Sequence, residues 1–405
     1  METTKWLEIW ETLKKEVAYF QSKVTASECA SLPAISHVNS LLSDLLEFGG
    51  KLIDFFAKNI DRLDVPSITS ESLFSGIIDN AYSDFDLFQR IFYQRCLGSV
   101  TMKDILAEAD IQGKQALESA KVEADVLAYF HKSPSSRIIP YGNIALVGIP
   151  YSVTSNPSDM LSIYHEVGHF VYWRGGIFGK PYEPSVELKL LGQPAYLRNW
   201  AEEIFADLFG VYTKGEAYIR SGMERWGRSS LSEFVDSDKD HPAPILRPKI
   251  AALGLLRLVE GAAETALKHD LDWKVLYENI KSEYFDGNEN YLDGATKKIS
   301  KFRITSDQYE GIDSCIRVEN NDDLTQPINK VIAVIAEKLK EKEKVLQTPE
   351  IWIDTGLDNL KAAIDKGGPN KKLSSDELQT HLEAFYWGDE WIDNSSKIKP
   401  SESTS

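Results

Sequence analysis

A mostly α-helical chain with one small β-sheet, an α+β class, is what the sequence predicts, and three observations lead there. Apolar residues recur at three- and four-residue spacing through most of the first 130 residues and again beyond Pro248. One short stretch, 137–151, turns to β-branched residues punctuated by proline and glycine. No internal repeat with a period of 20 to 50 residues is present, which sets a solenoid aside.

The first helices are expected at 6–20, 38–56, 71–97 and 102–130, with breaks around Ser31-Leu-Pro33, Asp64-Val-Pro-Ser67 and Gly98-Ser99. They carry no chemical motif, His37 and His131 stand alone, and packing or covering is their expected role. Residues 137–151 read as one or two strands, with Pro140 and Pro150 favouring a sheet edge. The segment 143–147 suits an edge strand and a plain core strand equally. After Pro248 a long amphipathic helix runs to residue 268, followed by helical stretches at 273–284, 327–346 and 375–391. The mixed-charge run 338–344 reads as a solvated helix face. Trp387 and Trp391, with the acids between them, read as core packing before an interaction patch, and His269 and His381 have no ligand-spaced neighbour. The polar tail is expected to be disordered. The chain divides into an N-terminal helical region (1–132), a core (133–270), a C-terminal helical region (271–393) and the tail (394–405).

Composition narrows the function. With 405 residues, 42% of them hydrophobic, the chain can bury one large core or two to three smaller ones. A net charge of −17 argues against nucleic acid or an anionic membrane as the main partner. The longest apolar runs, 143–151 and 250–256, fall short of the roughly 20 residues of a membrane span. The N-terminus has no apolar segment of a secretory signal. Cys29, Cys96 and Cys315 are far apart, odd in number and in no C-x-x-C pair, so free thiols in a reducing cytoplasm are expected.

The chemistry concentrates in His165-Glu166-Val167-Gly168-His169. Two histidines four apart on a helix lie on one face a turn apart, so both imidazoles can reach one metal ion. Glu166 is then placed to act on water activated by the metal. The plain alternative is a half-buried helix carrying these polar residues by chance. Asn156 as N-cap, Pro157 at the first helical position, Asp159 in the first turn and a stop at Gly175-Gly176 bound the helix. Its other residues are largely apolar, and two histidines and a glutamate buried there would be costly without a partner. A second helix follows, capped by Asn199 with Glu202 three residues on. It carries Glu203 and Asp207 on one face. Glu203 can complete a His₂Glu site with one position left open, and Asp207 can hold a ligand histidine by its other ring N–H. The alternative for Glu203 and Asp207 is an ordinary solvated face, and the capping position accounts for Glu202.

His165-Glu-Val-Gly-His169 followed by Glu203-Ile-Phe-Ala-Asp207 resembles the gluzincin zinc metallopeptidases. His241-Pro242 with Arg247 resembles the H-P-x-x-x-x-R element of the branch that contains the CAAX prenyl proteases. The resemblance covers residues 137–260, roughly a third of the chain. It implies a zinc-dependent endopeptidase with a thermolysin-like core, one Zn²⁺ held by His165, His169 and Glu203, Glu166 as general base, and an edge strand that binds extended peptide. That branch is embedded in membrane and usually has a longer gap between the two helices, so a soluble relative is expected and no prenylated substrate is carried over.

The function expected is therefore a cytoplasmic zinc metallopeptidase acting on a protein or peptide, with no nucleic acid and no membrane span. His241 is the first candidate to stabilise the developing oxyanion, followed by Tyr212 and Arg247. The alternatives are a rigid turn at His241-Pro242 and an ion pair from Arg247 to Asp207 or Glu202. Two other functions fit the same residues: a ligand-triggered regulatory or defence protease with one dedicated partner, and a helical scaffold with a silent metal site.

Overall fold

The computed structural model describes residues 2–64, 67–174, 200–226, 246–269, 327–340, 353–366 and 372–387, with His241, Pro242 and a few other single positions. Several expectations lie outside the described residues. They are the Gly175-Gly176 stop, the Asn199 cap, the helix at 273–284, Cys315, residues 341–346 and 388–391, and the tail 394–405.

Four long helices open the chain: α1 (Glu2–Thr25), α2 (Pro33–Asn59), α3 (Ser67–Leu97) and α4 (Val100–Ser119). A two-residue strand, β1 (Leu63–Asp64), lies between α2 and α3. Helix α4 ends at Ser119, eleven residues before the expected boundary at 130. Lys121 takes a left-handed conformation (φ 60°), and the chain turns into β2 (Asp125–His131). The run Val126-Leu-Ala-Tyr-Phe130 is buried on both faces, so it lacks the apolar–polar alternation that marks a half-exposed strand.

The sheet adds β3 (Ser135–Arg137) and β4 (Ile144–Pro150), in the order β2-β4-β3. Strand β4 runs parallel to β2, with Asp125 opposite Ile144, and antiparallel to β3, with Ser135 opposite Gly148. The edge position favoured for this stretch is therefore corrected: β4 is central and every one of its residues is buried. Alternate residues feed two cores. Leu127, Tyr129, Ile144 and Leu146 join α1, α2 and α3, whereas Val126, Ala128, Phe130, Ala145, Val147 and Ile149 join the opposite side. The outer edge of β2 is closed by side chains. Gln94 brackets the backbone of Phe130, while Asp110 and Arg95 satisfy the amide and carbonyl of Ala128. Among the described residues, that leaves β3 as the open edge.

On the second side of the sheet lie α5 (Ser162–Arg174), α6 (Ala201–Lys214), α7 (Glu216–Trp226), α8 (Arg247–Leu258) and α9 (Pro327–Lys340). Helices α5 and α6 cross closely because Gly168 has no side chain. A Cβ there would meet the Ala206 Cα at 2.9 Å. Further on, α10 (Ile353–Lys366), β5 (Leu373–Ser374) and α11 (Ser375–Trp387) return to the first side. Their Leu360, Ile364 and Phe385 join the core of α1–α3, and β5 pairs in parallel with β1. The architecture is thus mostly helical with a small sheet. Among the described residues, no helix is long and apolar enough to cross a membrane.

The expectation of free thiols is corrected for two cysteines. Cys29 and Cys96 form a disulfide across 67 residues of chain, with Cα atoms 5.9 Å apart. Distance in sequence gave no hint, because helix packing brings the turn after α1 to the end of α3. Disulfides are rare in reducing compartments, so the thiol argument for the cytoplasm falls away.

Candidate metal centre

Helix α5 is entered through a 3₁₀ turn, Pro157–Leu161, and Asn156 precedes it without capping it through its side chain. Asp159 does more than supply charge to a first turn. It is buried and accepts hydrogen bonds from Ser152 and from Asn156 Nδ2. The following turn of α5 carries His165, Glu166 and His169 inward against α6.

The two imidazoles face each other, Nε2 to Nε2, at 3.2 Å. Glu203 closes the triangle, one oxygen 3.4 Å from His165 Nε2 and the other 3.3 Å from His169 Nε2. Three donors on a tetrahedral ion with bonds of about 2.0–2.1 Å lie about 3.3 Å apart. The donor set and its spacing fit a single metal ion, and these three residues form a group that can hold one.

Each histidine is oriented by its own carboxylate. His165 Nδ1 lies 3.1 Å from Asp207, and His169 Nδ1 lies 2.8 Å from Glu202. An ionised carboxylate only accepts, so each Nδ1 carries the proton and each Nε2 turns its lone pair to the shared centre. Glu202 is a correction. Its carboxylate holds His169, and the residue at the N-cap position is Trp200, which makes no side-chain cap.

Asp207 anchors a further network. Arg247 Nε and Nη2 grip its two oxygens at 2.8 and 2.7 Å, and the Tyr218 hydroxyl donates to it at 2.7 Å. The ion pair weighed for Arg247 is therefore the one formed, with Asp207 as its partner. Tyr218 reaches in because Gly210 leaves room for its ring, and no motif in the sequence marks it. His241, half exposed, places Nε2 3.2 Å from Glu203. Tyr212 is elsewhere, beside Leu256 and Lys340 around a separate cavity.

The electrostatics call for a cation. Burial would lower the His169 imidazolium, but the Glu202 hydrogen bond and the charges of Glu203, Glu202 and Glu166 outweigh it and push it up to about 10. Burial also lowers His165, and bonds to Asp207 and Glu203 raise it overall. Glu203 is held well below the usual carboxylate range; burial opposes this, but hydrogen bonds with His165 and His241 prevail. At most one proton fits between two facing Nε2 atoms, whereas a dication satisfies both lone pairs and the Glu203 oxygens together. Glu166 is only 6% exposed, and burial raises its carboxyl despite the two histidines beside it. A raised carboxyl next to the metal position suits a general base.

The centre opens into a cavity of about 710 Å³, walled by β3 on one side and by Arg225 and Trp226 of α7 on another. A second cavity, about 550 Å³ between α2, α3 and α11, is mostly apolar. Its buried Asp84 is already bonded to Tyr141 and Arg137. Compared with known protein families, characterised proteins and solved structures, the chain matches none.

Proposed function

We propose that the protein is a zinc metallopeptidase that hydrolyses peptide bonds of a protein or peptide substrate. The observation that carries this reading is the placement of Glu166. It is buried beside a His165–His169–Glu203 group whose spacing suits a tetrahedral ion, and it belongs to none of the ligand pairs. A structural zinc site has four protein ligands, whereas three with a cavity on the open side is the catalytic arrangement. The His₂Glu donor set and tetrahedral spacing suit zinc among the common ions.

Zinc bound there would supply a Lewis acid that polarises the scissile carbonyl and makes water nucleophilic near neutral pH. Glu166 accepts the proton of the attacking water and returns it to the leaving amine. Asp207 and Glu202 hold the two imidazoles in the tautomer that presents Nε2. Arg247, committed to Asp207, fixes α8 against α6. His241 lines the cavity beside Glu203 and is the side chain best placed to donate to an oxyanion. Strand β3, the edge of the sheet among the described residues, lines the same cavity through Ser135 and Ser136 and can take an extended peptide by strand addition.

Glu166→Gln keeps the size of the side chain but cannot accept the proton. The variant should fold, keep its zinc and lose about 10²–10⁴-fold in peptide hydrolysis. Loss of zinc would make Glu166 a ligand and the reading wrong. Zinc retained together with undiminished hydrolysis would also overturn it.

A further inference from the structure

We propose that Arg225 binds a carboxylate of the substrate, so that the preferred peptides carry one beside the cleaved bond. This rests on the metallopeptidase reading and adds a substrate class to it.

Two guanidinium groups line the metal cavity, and the fold uses them differently. Arg247 grips Asp207 with Nε and Nη2, the edge of the group that matches the two oxygens of a carboxylate. Arg225 has the same two atoms, Nε and Nη2, buried and without any hydrogen-bond partner. A guanidinium is charged at every working pH and accepts no hydrogen bonds, so these donors can be satisfied only by an acceptor. Leaving them buried and unmade is costly.

Among the described residues, none supplies an acceptor. Asp159, across the cavity, is engaged by Ser152 and Asn156, and Glu202 and Glu203 face the histidines. No carboxylate among the described residues lies within ion-pair distance of Arg225. The group is nevertheless held in place: its centre lies 5.8 Å from the centroid of the Tyr218 ring, whose hydroxyl is fixed on Asp207. It is also near the reaction centre, being among the cations that oppose the burial-driven rise of the Glu166 carboxyl. Ser136 Oγ, on β3, is a second buried donor in the cavity wall without a partner. Arg225 lines the cavity that would receive the peptide, and its unpartnered Nε–Nη2 edge, buried in the cavity wall, needs an acceptor that a substrate carboxylate can supply. That carboxylate can be the C-terminus of the substrate or an acidic side chain.

The test uses the full chain as zinc-loaded Glu166→Gln, which binds without turnover, and short labelled peptides in matched pairs. One set of pairs compares the free C-terminal acid with the amide, and the other compares Glu with Gln at each internal position. Fluorescence anisotropy should show one set in which the acid binds about 10- to 100-fold tighter than its neutral partner. Which set responds identifies the source of the carboxylate. Adding Arg225→Gln should make the two members bind equally at unchanged zinc content, and adding Arg225→Lys should restore part of the difference. Acids and neutral partners binding alike in the parent overturns the proposal, as does a preference that survives Arg225→Gln. A purely structural Arg225 would weaken both members equally and keep their ratio, which also overturns it. The comparison within the parent decides the matter even where an Arg225 variant does not fold. If the zinc-loaded protein binds no peptide at all, the metallopeptidase reading fails and the proposal falls with it.

Discussion

Truncating Asp207 separates the work of the two carboxylates behind His165 and His169. Asp207 is fully buried and takes four contacts: Arg247 at 2.8 and 2.7 Å, Tyr218 at 2.7 Å and His165 Nδ1 at 3.1 Å. In Asp207→Ala the Arg247 guanidinium, 16% exposed, is left with Glu203 at 3.6 Å as its nearest carboxylate. Removing one partner of a buried ion pair costs about 3–5 kcal/mol. The stranded Tyr218 hydroxyl adds about 1 kcal/mol. A loss of roughly 4 kcal/mol or more is therefore expected, a large part of the stability of an ordinary domain. Glu202 is the control. Its side chain is 33% exposed, and His169 keeps Glu203 at 3.3 Å and can release its proton, so Glu202→Ala leaves no permanent charge without a partner. It should stay within about 1 kcal/mol of the parent. Both variants should lose zinc affinity, Glu202→Ala by about 10- to 100-fold. Asp207→Ala should lose more, because the freed Arg247 competes with the metal for Glu203. Urea unfolding of the metal-free proteins and zinc competition against a chromophoric chelator measure the two effects. Equal stability losses in the two variants would refute the reasoning, as would a loss below about 1 kcal/mol in Asp207→Ala.

Three further outcomes are expected. Gly168→Ala places a Cβ 2.9 Å from the Ala206 Cα. The overpacking should cost about 1–3 kcal/mol and weaken zinc binding by shifting Glu203, and unchanged zinc affinity would contradict the close helix crossing. Replacing Cys29 and Cys96 together by Ser opens a link spanning 67 residues. About 4 kcal/mol of stability to urea should be lost on chain-entropy grounds, and a change under about 1 kcal/mol would speak against the disulfide. The metal-free site retains a proton on His169 up to about pH 10, whereas an ordinary histidine loses it near 6.5. Zinc must displace that proton at neutral pH, so affinity should keep rising with pH above 7 by up to about tenfold per unit. Proton release measured by calorimetry in buffers of different ionisation enthalpy checks this, and an affinity that levels off near pH 7 would contradict it.

Helical segments were legible in the sequence wherever one face of the helix meets solvent. Helices α1, α2 and α3 contain the expected stretches 6–20, 38–56 and 71–97 because polar residues interrupt their apolar stripes. Strand β2 is illegible for the same physical reason. A strand buried on both faces presents a continuous apolar run, and Val126-Leu-Ala-Tyr-Phe130 continues the pattern of α4 without a break. The disulfide was illegible because it depends on how α1 and α3 pack, which spacing does not encode.

Within the site, the boundary of legibility follows the range of the interaction. His165 and His169, and likewise Glu203 and Asp207, meet through one turn of a single helix, so four-residue spacing is enough to pair them. The approach of the two helices is set by Gly168 against Ala206, which looks like any other residue of the motif until the crossing is known. Glu202 shows how two local explanations compete. Its place three residues after Asn199 suits a capping box, yet its carboxylate lies on His169, 33 residues earlier in the chain. Tyr218 and Arg225 mark the limit. Both come from α7, which the turn at Gly215 (φ 56°) sends back across α6, and neither has any ligand or acid at helical spacing on its own element. What the sequence states outright is the pair of ligand-bearing helices. What it withholds is the side chains that tertiary packing delivers to them.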